Sequence, residues 1–80
     1  MDDTQIVIGL ATIELYIAYS HSLKTKRRLV KSVLARLHNR FNLGTAELGY
    51  LDRPQQALLG LVCVSNDRRY AEGLLQKALN

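Results

Sequence analysis

The sequence predicts an α+β fold in which two helices cover one face of an antiparallel sheet, in the order β-α-β-β-α. Three observations carry that expectation. Apolar residues alternate with polar ones up to residue 19, and an apolar run follows residue 56, the patterns of half-buried and central strands. Between them, residues 23–41 repeat apolar side chains at helical spacing behind Ser22, a good cap. Past the second apolar run, Ser65-Asn66-Asp67 opens another helical repeat.

The first strand is expected over Gln5–Tyr19. Ile13, Leu15 and Ile17 alternate with Glu14, Tyr16 and Ala18, whereas Ile6-Val7-Ile8-Gly9-Leu10-Ala11 is apolar in both phases and should be covered on both faces. Fifteen strand residues would span about 50 Å. A run of that length is expected to bend near Gly9 or Ala11, or to project into a partner. The first helix should run Leu23–Phe41, with Leu29, Val30, Val33, Leu34, Leu37 and Phe41 as its core stripe and Asn42 and Gly44 as its stop. A second strand is expected at Gly44–Tyr50, a turn at Leu51-Asp52-Arg53-Pro54, and a central third strand at Gln56–Ser65. The last helix should reach Leu79 and turn Tyr70, Ala71, Leu74, Leu75, Ala78 and Leu79 inward. This is the ferredoxin-like plan with its usual fourth strand absent or truncated. That strand would pair with the first, so its absence leaves an apolar edge for another chain to cover.

Residues 1–80 make one domain. A chain this short hides only about 60–65% of the surface its unfolded form exposes. Yet 48% of its residues are hydrophobic, with a single proline. That composition argues against disorder, and a homo-oligomer, a dimer in the simplest case, is expected to bury part of the apolar surface at Ile6, Ile8 and Leu10.

Charge is concentrated. The formal net charge is +4. Between Ser20 and Asn42 lie Lys24, Lys26, Arg27, Arg28, Lys31, Arg36 and Arg40 with no acid, and the rest of the chain is net acidic. On a helical projection Lys24, Arg27, Arg28 and Lys31 share one flank, with His38 farther along it and Arg36 and Arg40 opposite. Lys26 falls toward the apolar side, where its stem can pack while its ammonium reaches outward. Cations at a helix N-terminus are disfavoured by about 0.3–1 kcal/mol each, and this helix puts four of them in its first two turns. A charged helix face ordinarily serves solubility. This placement, with no compensating acid, points instead to an anion held by Ser22, Lys24, Lys26, Arg27, Arg28 and Lys31.

Other chemistries find little support. Cys63 is the sole cysteine and sits in Leu58–Val64, as a small buried thiol would in a reducing, cytoplasmic setting. His21 and His38 have no carboxylate near them in sequence and no metal spacing, so neither a metal nor another cofactor is expected. Glu14 and Glu47 could be brought together on paired strands, but so could many surface glutamates, and catalysis is not expected. Met1-Asp2-Asp3 lacks the positive charge of a secretory leader, and no segment approaches the ~20 apolar residues of a membrane span. The third strand has no aromatic residue, so stacking of RNA bases across the sheet is not expected; phosphate and shape recognition suits the chain better.

Ser22-Leu23-Lys24-x-Lys26-Arg27-Arg28, then Asn39-Arg40-Phe41-Asn42 with Ala46-Glu47, then Val64-Ser65-Asn66-Asp67, resemble the YlxP-like family of small bacterial proteins over about Gly9 to Leu79. Members usually carry an acid where this chain has Thr25 and continue past the second helix into a last strand. The resemblance implies a ferredoxin-like fold, a cytoplasmic bacterial protein and a role near the ribosome or RNA, but no activity. Sequence therefore supports a non-catalytic RNA- or ribosome-associated factor. The alternative is an oligomeric interaction or regulatory module that binds a protein partner or a small anionic ligand.

Overall fold

The computed structural model describes residues 4–80; Met1-Asp2-Asp3, whose charge bears on the question of a leader, lies outside the described residues. The elements are β1 (Val7–Tyr16), α1 (Leu23–Phe41), β2 (Gly44–Gly49), β3 (Gln56–Ser65) and α2 (Arg68–Leu79). The strands form one antiparallel sheet in the order β1-β3-β2. This is the expected α+β arrangement, with the apolar β3 at the centre and β1 and β2 on the two edges.

Local chemistry explains the element boundaries. Ser22 is extended (φ −146°), and its hydroxyl accepts the Thr25 amide, which satisfies one of the free N–H groups that begin α1. At the other end Asn42 takes a left-handed conformation (φ 54°) and returns its own amide to the His38 carbonyl. Asp67 caps α2 by accepting from the amides of Arg69 and Tyr70.

The odd-numbered residues of β1 and β3 face the helices, and the even-numbered ones face away. Leu59 and Leu61 of β3 are fully buried, as is Leu43 where α1 hands over to β2. Each such leucine contributes about 1.5–3 kcal/mol on burial. Two clusters result, one of Leu43, Leu61, Cys63 and Ala71 under α2 and the end of α1, the other of Val30, Ala57 and Leu59 under the start of α1. Ile13 touches both and joins them. The packing of α2 on β1 is close at Gly9, where a Cβ would lie 2.8 Å from a Leu75 methyl and 3.0 Å from the Cys63 sulfur.

Three expectations are corrected, and one open possibility is settled. β1 is shorter than residues 5–19 and pairs with β3 across ten residues with no register shift, so it carries no bulge at Gly9 or Ala11; the irregularity is in β2, between Glu47 and Gly49. Its apolar start is covered on one face only, since Ile8 and Leu10 are 68% and 72% exposed. Tyr70 and Leu79 are exposed rather than inward, because α2 rests on Ala71, Leu74, Leu75 and Ala78 and both fall outside that stripe. Glu14 and Glu47 do not meet: β3 separates their strands, and Glu14 is on the open face whereas Glu47 faces α1.

The basic flank of the first helix

Of the six residues expected to form an anion site, the structure keeps five at the surface, four of them cations. Lys24, Arg27, Arg28 and Lys31 are all exposed on α1. No acid lies in the first turn, and neither of the ion pairs among the described residues, Lys26–Glu47 and Arg68–Glu72, involves them.

Lys26 departs from the expectation. Its side chain is fully buried, and Nζ donates to the carbonyls of Tyr50 (2.7 Å), Gln56 (3.1 Å) and Leu51 (3.4 Å). Glu47 Oε2 lies 3.0 Å from the same nitrogen. An ammonium has three hydrogens, and the carbonyls absorb them, so Glu47 supplies charge without an aligned hydrogen bond and Oε2 has no hydrogen-bond donor. The stem runs inward because residue 26 is on the core side of α1. Its head then finds the carbonyls of the β2–β3 turn, where Tyr50 adopts a left-handed backbone (φ 58°) that bulky residues rarely take. Lys26 is a staple between α1 and that turn, and no external anion reaches it.

Ser22 is also occupied. Its oxygen accepts the Thr25 amide at 3.1 Å, and its hydroxyl donates to Thr25 Oγ1 at 2.9 Å. The Ser22 hydroxyl, expected to point at an anion, is turned to Thr25 instead, and Ser22 serves as the cap that starts the helix.

The exposed cations continue into a groove of about 410 Å³ between α1 and β2, lined by Arg27, Lys31 and His38 on the helix and by Thr45 and Glu47 on the strand. Arg27 and Lys31 are one turn apart, about 6 Å along the axis, and His38 is about 10 Å farther. His38 Nδ1 is 2.9 Å from the Leu43 carbonyl. A carbonyl only accepts, so Nδ1 carries the hydrogen of this bond. The charge of Glu47 is matched by Lys26, which leaves the sign of the groove to Arg27 and Lys31. Sequence reasoning missed Thr45 and Glu47 here, since only the packing of α1 on β2 brings them to the flank. Arg36 and Arg40, on the opposite side of α1, line a separate groove of about 280 Å³ with Lys77.

Elsewhere, Tyr50 donates its phenolic hydrogen to Glu14 at 3.1 Å. That bond, and then the negative charge of Glu14, raise the Tyr50 pKa above its ordinary value, against a smaller lowering by Arg53. Tyr16 is exposed at the end of β1. The interface candidates Ile6, Ile8 and Leu10 are exposed at 66%, 68% and 72%. Among the described residues no three His, Cys, Asp or Glu side chains gather as a metal site would require, and no helix is long and apolar enough to cross a membrane.

An α+β protein with this basic first helix is the class defined so far. Residues 8–80 match the family described as "Protein of unknown function (DUF503)", and the chain belongs to that family. It is 40% identical over 73 residues to "Uncharacterized protein YlxP" of Bacillus subtilis (strain 168), an alignment covering 91% of this chain and 79% of that relative.

Proposed function

We propose that this protein is a non-catalytic RNA-associated factor that holds phosphates along the exposed flank of α1. The observation that carries the reading is the placement of Lys24, Arg27, Arg28 and Lys31, exposed and outside both ion pairs of the described residues, over the first turns of a helix with no acid in its first turn. Such an arrangement opposes the helix dipole, and a row of phosphates offsets that cost. Lys24, Arg27, Arg28 and Lys31 are the phosphate ligands in this reading, and Ser22 and Lys26 are the residues that fix the helix they stand on. In this reading the setting is the ribosome and the compartment the bacterial cytoplasm, as the family resemblance implies. Recognition is of backbone charge and shape, since β3 offers Leu58, Gly60, Val62 and Val64 on the open face and no ring on which a base could stack.

The test is ultraviolet crosslinking in a cell lysate followed by recovery of the protein with and without nuclease. The reading expects labelled RNA on the wild type that nuclease removes, and at least a tenfold lower yield from a chain carrying Arg27→Ala and Lys31→Ala. Recovery free of RNA, or RNA unaffected by those substitutions, refutes it. The alternative, an interaction module, rests on a different surface, the uncovered face of the sheet.

A further inference from the structure

The face of the sheet away from the helices is uncovered and almost wholly apolar. Register sets Ile8 beside Val64, Leu10 beside Val62 and Gly44, and Thr12 beside Gly60 and Ala46. Ile8, Leu10 and Val64 are 68%, 72% and 74% exposed, and Leu48 on the same face is 54% exposed. With Tyr16 these side chains leave about 600 Å² of apolar surface in water, at the upper end of what a typical monomer shows in one patch. Glu14 is the only charged strand residue on this face, and it lies toward the end where Tyr50 bonds to it.

From this geometry we infer that the open sheet face is the seat of a second copy of this chain, packed face to face about a two-fold axis. Three features select that occupant. The surface is self-complementary: the Leu10 side stands beside a trough of about 360 Å³ floored by Gly44, Ala46 and Gly60. A two-fold pairing can seat each ridge in the other trough. The area fits, because about 600 Å² from each copy gives about 1,200 Å² in total, the lower bound of stable interfaces. The charge fits as well. The basic helix lies on the opposite side of the sheet, so pairing through the open faces carries both copies' cations outward and apart. A polyanion has nothing to hold on this face, and an acidic or basic partner would find only Glu14.

Pairing of sheet edges is the competing geometry. The amide of Ile17 donates to Gln55 O. With the unbroken register of β1 on β3, this directs the backbone groups of the even-numbered β1 residues away from β3. Edge pairing would use those backbone groups and leave the side chain of Val64, on the central strand, in solvent, so changes at Val64 separate the two geometries.

Sedimentation equilibrium on the whole chain tests the inference. A face-to-face dimer predicts a species of about 18 kDa, twice the 9.0 kDa chain, at 100 µM protein. It also predicts at least a 100-fold weaker association in the double variant Leu10→Lys/Val64→Lys. The milder pair Leu10→Thr/Val64→Thr keeps strand-compatible residues and should weaken the dimer at least tenfold with unchanged far-ultraviolet circular dichroism. A wild type that sediments as a monomer at 100 µM, or a dimer that survives the lysine pair, overturns the inference. It does not depend on RNA binding, and the Arg27→Ala/Lys31→Ala chain should dimerise as the wild type does.

Discussion

Lys26→Met keeps the length of the buried stem and removes only the ammonium, so it isolates what that charge does. In the wild type Nζ holds the carbonyls of Tyr50, Leu51 and Gln56 and neutralises Glu47. Without it, three carbonyls of the β2–β3 turn lose their donor and a carboxylate that is 17% exposed loses its partner. Removing one member of a buried ion pair costs about 3–5 kcal/mol. The turn is at the surface and its carbonyls can recover some water, so the lower figure, about 3 kcal/mol, applies. At about 0.05–0.15 kcal/mol per residue the whole 80-residue chain has about 4–12 kcal/mol to lose. The expected result in thermal unfolding is a fall in Tm of about 12–24 °C. Urea unfolding should show the midpoint about 2–3 M lower. Adding Glu47→Gln should recover about 1–2 kcal/mol, because the stranded charge is then gone. Lys24→Ala, at the exposed neighbour, should cost less than about 0.5 kcal/mol. A Lys26→Met chain within 1 kcal/mol of the wild type would refute the staple, and if that chain also lost RNA binding, Lys26 would have to be restored to the anion site.

Two glycines should respond to alanine with opposite signs. Gly73 is inside α2, and a methyl group there would meet nothing within 4 Å, so Gly73→Ala should stabilise by about 0.5–1 kcal/mol through helix propensity. Gly9→Ala would press on Leu75 and Cys63 and should cost about 1–3 kcal/mol; urea midpoints of the two variants check both. For Tyr50, whose pKa is raised chiefly by its hydrogen bond to Glu14, the fold favours the neutral phenol. The contact therefore stabilises fully below the unfolded pKa of about 10 and is lost as pH rises through the higher folded value. In Glu14→Gln, absorbance titration at 295 nm should show one tyrosine midpoint moving down.

The parts of the fold that depend on neighbouring residues are legible in the sequence. α1 occupies Leu23–Phe41 as expected because Ser22 and Asn42 mark its ends by their own chemistry, and β3 occupies Gln56–Ser65 because an apolar run between turns has one central place in a small sheet. Lys26 shows where such reasoning stops. Helical projection puts it on the core side, but its partners are 24–30 residues away in the chain, and nothing local announces a cluster of carbonyls there. Ser22 and Thr25 both present hydroxyls near the start of α1; that the two satisfy each other follows from cap geometry, which sequence leaves open. The doubly apolar start of β1 signals that something should cover Ile8 and Leu10. The chain supplies cover on one side only, and an intermolecular contact has no signature in a single chain beyond that surplus. The flank that remains, Lys24, Arg27, Arg28 and Lys31, is legible because it needs only the period of the helix.

The salt dependence of binding to a labelled single-stranded RNA tests that flank most directly. If each of the four exposed cations neutralises one phosphate, the logarithm of the affinity should fall against the logarithm of salt with a slope of about −2.8, and Arg27→Ala/Lys31→Ala should reduce it to about −1.4. Binding indifferent to salt, or a slope unchanged by the two substitutions, would contradict a phosphate-binding role for this helix.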